Sequence, residues 1–511
     1  MCALRGGRLE YVEDSLNRPA GKPMESGTMQ ILENKRVLVI GLGSSGRAAC
    51  RLLQSRGARV TALDNLDDEG LRREEAALRS LGVSVHLDPK TLPDGAFDFA
   101  VVSPGVPETN VLLQEVRARK ISVIGELELG YQQSLCLNIS ITGTNGKTTT
   151  TELVERMLKH VHRRTIAAGN IGLPLCAVAD QTKELDFLTL EVSSFQLETI
   201  QYFRPSIAVL LNITPDHLDR YASMTEYIRA KARIFENQQP FDWAIVQSEA
   251  LAQMRSHNLE IPSKIITFSA SNRRADIFFD RGLLVSRLAE WPGPLMNMEH
   301  GRLRGPHNAE NLMAALAVGR VLRLPFEEMV EALKTYQPAP HRCELVKEIN
   351  GVKFINDSKA TNLDALHRAL LSIPTGTGGQ PNVWLIAGGK DKGFEYHDIG
   401  PLLSERVKGS FLIGETREKI RAAWSLFTPC SLMDSLLEAV AEAAREAVPG
   451  DYVLLSPACS SFDQFRNYQH RGEVFRQAVA RLDSPVEVDN NAGVSHSSEM
   501  EIRKAAANKT D

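Results

Sequence analysis

Along most of the chain, short runs of Val, Ile and Leu alternate with segments in which apolar residues recur at helical spacing. RVLVI (36–40), RVTALD (59–64), FDFAVVS (97–103), ISVIG (121–125), LNISITG (137–143), DFLTLEV (186–192) and SIAVLLN (206–212) read as buried strands. So do WAIVQ (243–247), VKFIND (352–357), VWLIAG (383–388), GSFLIG (409–414) and DYVLLS (451–456). A strand that is apolar on both sides needs cover on both sides, so the pattern predicts parallel sheets flanked by helices. Glycine-rich strand-to-helix turns near residues 40 and 142 open two separate α/β units. A third series begins after Pro338-Ala339-Pro340, where paired prolines suit a linker. The expected architecture is α/β, with three domains in series at 30–126, 127–338 and 339–484. Residues 1–29 and 485–511 are polar without a sustained period and read as a flexible extension and a polar tail.

Length agrees with several domains, since 511 residues exceed what one core organises. Lysine and arginine number 59 against 63 acidic residues, a formal net charge of −4, so a global basic footprint for nucleic acid is absent. No apolar run approaches the roughly 18 residues of a membrane span, and the N-terminus has no apolar signal core. The seven cysteines, at 2, 50, 136, 176, 343, 430 and 459, form no Cys-x-x-Cys pair. That scatter suits reduced thiols in a cytoplasmic enzyme.

Chemistry concentrates at strand ends, where open α/β sheets place ligands. Gly41, Gly43 and Gly46 form G-x-G-x-x-G between a strand and a helix, and Asp64 ends the next strand. This arrangement suits a dinucleotide, which points to an oxidoreductase, or another diphosphate such as a uridine diphosphate; the motif does not separate them. More specific is Gly143-Thr144-Asn145-Gly146-Lys147-Thr148. Its backbone amides and helix start suit phosphate oxygens, Lys147 adds charge, and the Thr148 hydroxyl suits Mg²⁺. The loop is two residues shorter than the usual phosphate loop, which argues against the common GTPase and ATPase families. The turn Gly169-Asn170-Ile171-Gly172 brings one amide, Glu191 ends a strand before Ser193-Ser194-Phe195-Gln196, and Asp216, His217 and Asp219 follow another. Glu191 and His217 are within conceivable reach of an ion at Thr148; singly they read as a solvated strand end and a helix cap. Lys231 lies at helical spacing and reads as a solvated lysine unless it is a carbamate, which would offer oxygen ligands. In the third unit Asp357, Lys359 and Thr361 follow one strand, Lys390 and Lys392 another, and LLSPACSSFDQFRNYQHRG (454–472) a third. Lysines and hydroxyls there suit phosphates and a small carboxylate substrate.

Taken together, GTNGKT, GNIG, SSFQLE, DHLDRY, HNAEN, PHR, NDSKATN and SPACSSFDQF, in this order over roughly residues 34–484, resemble the Mur ligase family. The resemblance implies a Rossmann-like N-terminal domain for UDP, a central P-loop ATPase-type domain and a C-terminal dinucleotide-fold domain that closes over the site. The implied activity is ATP-dependent joining of D-glutamate to UDP-N-acetylmuramoyl-L-alanine through an acyl phosphate, by a cytoplasmic monomer using ATP and Mg²⁺. Its implied partners are those small molecules only, with no nucleic acid and no membrane insertion. It further implies that Gly143, Thr144, Asn145, Gly146, Lys147, Thr148 and Thr149 serve ATP, together with Asn308, Asn311, Arg342, Asp357 and Lys359. Thr148, Glu191, His217 and Lys231, as a carbamate, would hold the metal. Lys147, Glu191, His217 and Lys231 would carry the catalysis. Ser44, Ser45, Asp64, Ser103, Gly105, Asn170 and His217 would meet the UDP substrate; Thr361, Lys392, Ser461 and Tyr468 would grip D-glutamate. The alternatives are another Mur-type or folylpolyglutamate-type amide ligase, or, from other classes, an NAD-dependent oxidoreductase or a non-catalytic nucleotide-binding regulator. The oxidoreductase leaves the Lys147 loop without a task.

Overall fold

The computed structural model describes residues 2–5, 8–11, 31–218, 220–337 and 340–482. Residues 2–5 and 8–11 pair as an antiparallel ribbon, where the sequence pattern led us to expect no regular element. The rest of the expected extension and tail, Asp219 and most of the Pro338-Ala339-Pro340 linker lie outside the described residues.

Three sheets follow in series. The first is parallel throughout, with spatial order Ser84–Leu87, Arg59–Asp64, Arg36–Ile40, Phe99–Val102 and Val123–Gly125. Its first strand in sequence is central, which places a ligand crevice beyond the carboxyl end of Arg36–Ile40. Apolar side chains pack on both faces, Val37 and Val39 on one and Leu38 and Ile40 on the other. The motif glycines act through close approach. A Cβ at Gly46 would lie 1.8 Å from the Gly41 carbonyl oxygen. Gly46→Ala is therefore expected to destabilise the chain by about 2 kcal/mol or more, read as a lower urea midpoint at unchanged slope.

The second sheet has nine strands, and Leu137–Thr142 lies between Phe187–Glu191 and Ile207–Leu210, all parallel. Beyond Lys264–Ser269 it continues through Ile277–Asp280, Leu283–Ser286 and Gly293–Asn297, the last two added antiparallel. Helix Pro306–Val321, buried along nearly its whole length, packs against helix Lys147–His160. The third sheet is parallel except for its first pair, Glu344–Ile349 with Val352–Asn356. The expected strands are present with shifted ends. The expectation of wholly parallel sheets is corrected by these antiparallel strands, whose apolar runs are short and broken by polar residues because fewer neighbours cover them. No helix among the described residues is long and apolar enough to cross a membrane.

The first two domains meet at helix Glu126–Gln132. Glu128 is fully buried and accepts the backbone N–H groups of Gln201, Tyr202 and Phe203. Glu126, equally buried, accepts the Cys176 N–H, and its Oε2 has no partner. Burial pushes its pKa up to about 7, opposed by the Cys176 hydrogen bonds. A carboxyl whose pKa is raised by folding favours the folded state at low pH, and that advantage is lost as pH rises through the folded value. Stability should thus fall between pH 5 and 8 by on the order of 3 kcal/mol from this group. Glu126→Gln should flatten that slope in urea melts taken across the range.

Candidate active site

Strand Leu137–Thr142 runs into Gly143–Gly146, and helix Lys147–His160 begins immediately after. Gly146 has φ +84°, and a Cβ there would sit 2.3 Å from Asn311 Oδ1, so glycine is required on both counts. The loop is clamped from the neighbouring strand end. Asn212 Oδ1 accepts the Asn145 N–H at 2.8 Å, and Asn212 Nδ2 donates to the Asn145 carbonyl at 3.0 Å. Lys147 folds back, its Nζ donating to the carbonyls of Gly143 and Thr144 at 2.9 Å each. Burial lowers its pKa, while Glu191 and Asp216 pull the other way. Thr148 and Thr149 occupy the first helical turn, and Thr149 is buried.

Around this loop stand the residues of the adjacent strand ends. Glu191, in register with Ile141, is 2% exposed and is no solvated strand end. Its Oε1 accepts from Asn170 Nδ2 at 2.7 Å, while its buried Oε2 has no partner. His217 sits at φ +56°, and burial holds its pKa down to about 4, so the imidazole is neutral and free to act as a ligand or acceptor. Lys231 corrects the solvated-lysine reading. It is 1% exposed, donates to the Gly143 carbonyl at 2.8 Å and lies over the Tyr227 ring. Its pKa is held well below the usual lysine range, by burial first and by Lys147 second.

The first domain and the GNIG turn enclose a cavity of about 440 Å³ lined by Gly43, Ser44, Ser45, Asp64, Ser103, Gly105 and Asn170. Two of these side chains also hold the turn itself. Asp64 accepts the Leu42 and Leu66 N–H groups, and the Ser103 hydroxyl donates to the Gly41 carbonyl.

The third domain faces the phosphate loop. Asp216 accepts from Lys392 Nζ at 3.3 Å and from Asn362 Nδ2 at 2.9 Å, and Asn145 Nδ2 donates to Asp364 at 2.5 Å. Asp357 is buried; it accepts from the Ser456 hydroxyl and the Cys343 N–H, and burial lifts its pKa to about 7. Lys359 lies 4.0 Å from the Tyr468 ring centroid, its pKa pulled down to about 8 by burial and then by Arg342. Ser461 is buried, and Thr361 is half-buried one residue before Asn362. Asn311 accepts from the Thr150 hydroxyl and donates to Asn308, tying that pair to the phosphate-loop helix.

Family models match all three units: a Mur ligase MurD-like N-terminal domain at 35–125, a Mur ligase middle domain at 141–319, and a Mur ligase glutamate ligase domain at 341–459. A UDP-N-acetylmuramoylalanine--D-glutamate ligase of Acidobacterium capsulatum is 42% identical over 88% of this chain and 96% of its own. One of Geotalea uraniireducens is 41% identical over 89% and 99%. The chain belongs to the Mur ligase family. A MurF ligase of Thermotoga maritima, solved with ADP, superposes with TM-score 0.57 at 15% identity, covering 89% of this chain and all of that one. MurC of the same organism gives TM-score 0.55 at 18% identity over 88% of this chain and 100% of its own, and these two likenesses show the fold.

The structure brings Ser44, Ser45, Asp64, Ser103, Gly105 and Asn170 to one cavity and sets Lys392 against Asp216 across from the phosphate loop. Asn308 is set back, its Nδ2 donating to the Arg304 carbonyl. Among the described residues no three His, Cys, Asp and Glu side chains gather as a ready metal cluster. The donors present fit a hard cation nonetheless: an unpartnered buried Glu191 oxygen, a neutral His217 and the Thr148 hydroxyl. Sequence reasoning singled out Asp216 at a strand end without giving it a role, and did not single out Asn212 or Asn362. Asn212 had the same strand-end signal; Asn362 lay unremarked inside NDSKATN.

Proposed function

We propose that this Mur ligase joins D-glutamate to UDP-N-acetylmuramoyl-L-alanine at the expense of ATP, in the cytoplasm and as a monomer. The reading is supported above all by relatives of that name that match 88% or more of this chain at about 40% identity. It is supported also by the meeting of a phosphate loop with a lysine- and hydroxyl-bearing third domain across one cleft.

A carboxylate resists attack by an amine, so it must first become an acyl phosphate. A substrate carboxylate oxygen attacks the γ-phosphorus of ATP, the bond to the β–γ bridging oxygen breaks, and ADP leaves. The D-glutamate amine then attacks the acyl carbon; phosphate departs from the tetrahedral intermediate, the amine proton is lost, and the amide remains. In this reading Lys147 turns from the Gly143 and Thr144 carbonyls toward the transferring phosphoryl group and offsets its charge. The Gly143–Gly146 amides and the start of the following helix bind the ATP phosphates. Asn311 and Asn308 with Arg342, Asp357 and Lys359 orient the rest of ATP. The cavity at Ser44, Ser45, Asp64, Ser103, Gly105 and Asn170 holds the UDP portion. Thr148, Glu191, His217 and Lys231, as a carbamate, would hold Mg²⁺, which when bound supplies further neutralisation of phosphoryl charge. Thr361, Lys392, Ser461 and Tyr468 grip D-glutamate, with Asp216 holding the Lys392 ammonium in place.

Phosphate release measured with UDP-N-acetylmuramoyl-L-alanine against a panel of amino acids tests the reading. Strong stimulation by D-glutamate alone is expected; stimulation by a different amino acid would reject it. Lys392→Ala should raise the KM for D-glutamate about thirtyfold, ~2 kcal/mol for a lost charged hydrogen bond, with a smaller change for ATP. An equal rise in both would assign Lys392 to ATP or to domain closure.

A further inference from the structure

Helix Tyr468–Arg481 carries an arginine, Arg471, with no exposed surface. Its Nε donates to the Ser358 hydroxyl at 3.0 Å and its Nη2 to the Ser358 carbonyl at 2.8 Å. Its Nη1 donates to the carbonyls of Cys459 and Ser460 at 3.2 and 3.4 Å. All these acceptors are uncharged. Withdrawing a guanidinium from water is costly, and burial pulls this one down to about 10. What the group offers in return is a rigid, planar fork of donors that no other side chain reproduces.

The places it ties together are informative. Ser358 lies three residues before Thr361, and Ser460 immediately precedes Ser461. The Ser460 carbonyl also accepts the Lys390 N–H at 2.9 Å, two residues before Lys392. The Ser358 hydroxyl, while accepting from Arg471, donates to the carbonyl of Tyr468 at 2.8 Å. A Cβ at Gly389 would lie 2.2 Å from the Ser460 oxygen and 3.3 Å from Arg471 Nη1, so the third loop approaches the same point closely. One guanidinium thus holds two substrate-facing loops directly, a third through Ser460, and the start of its own helix through Ser358.

We propose that Arg471 is the positioning residue of the D-glutamate grip, fixing the separation of Thr361, Lys392, Ser461 and Tyr468 without touching substrate. This rests on the D-glutamate ligase reading above. Small displacements of aligned groups are costly in binding and turnover, so the effect should appear at this one substrate.

The test compares full-length parent, Arg471→Lys and Ser358→Ala by thermal melting and by the KM values for D-glutamate and for UDP-N-acetylmuramoyl-L-alanine. The two folded variants should raise the D-glutamate KM, by about tenfold for Arg471→Lys and less for Ser358→Ala, which loses one of the ties. The KM for the UDP substrate should stay within about twofold, because its cavity lies in the other two domains. A D-glutamate KM within about twofold of the parent in a folded Arg471→Lys variant, or an equal rise for both substrates, overturns the proposal. Lowered melting temperature with unchanged KM values would mark Arg471 as structural only and overturn it equally. Should Arg471→Lys not fold, Ser358→Ala decides: a selective D-glutamate effect supports the proposal, and its absence overturns it. A parent chain that releases no phosphate with D-glutamate rejects the ligase reading itself, and the proposal falls with it.

Discussion

Lys147→Met should lower kcat by at least about a thousandfold, ~4 kcal/mol of barrier, while leaving a folded protein. The two halves of this expectation have separate causes. The ammonium is a charge that the proposed reaction sets against the transferring phosphoryl group, and methionine fills its space without replacing that charge. Stability should change by no more than about 1 kcal/mol, because burial already works against the ammonium. One of its two acceptors, the Gly143 carbonyl, also keeps the Lys231 hydrogen bond. Stopped phosphate-release assays and melting curves on the same preparation read both. A variant that melts like the parent and turns over within tenfold of it would remove Lys147 from the phosphoryl site.

Lys231→Ala should be almost as damaging to turnover. A surface lysine would tolerate the change within about 0.5 kcal/mol and at little loss of rate. Lys231 instead lies buried between the phosphate loop and the Tyr227 ring, beside Lys147 and opposite Glu191 and Asp216. Two ammonium groups there share the Gly143 carbonyl. A carbamate would replace one of those positive charges by a negative one carrying oxygen ligands. Carbamylation consumes the neutral amine, and the depressed pKa makes that form available. Acetate or bicarbonate added to the alanine variant should therefore restore part of the rate. Lys231→Arg should do no better than alanine, since a guanidinium stays cationic and forms no such ligand. An arginine variant with near-parental turnover would end the carbamate assignment.

Both lysines were visible in the sequence, yet only one was visible for what it is. Lys147 announces itself because a phosphate loop is built from contiguous residues: strand, glycines, lysine, hydroxyl and helix start lie within a dozen positions. The glycine motif at Gly41 and the polar strand ends at Glu191, Asp216 and Asp357 are legible for the same reason, since a parallel sheet collects the carboxyl ends of its strands along one edge. Near-continuous apolar strands likewise determined three α/β units and their order. The antiparallel strands Leu283–Ser286 and Glu344–Ile349 escaped because partial cover leaves a weaker apolar pattern. What the tertiary structure alone decided depends on contacts between residues far apart in sequence. Lys231 reaches a carbonyl 88 positions away, Lys392 meets an aspartate 176 positions away, and Arg471 holds a serine 113 positions away. A lysine or arginine at helical spacing reads the same whether it faces water or the core, because periodicity records which face a residue shares and not what packs against that face. Burial, and with it the depressed pKa of Lys231, the neutral His217 and the fork of Arg471, arises only when the chain has folded around them.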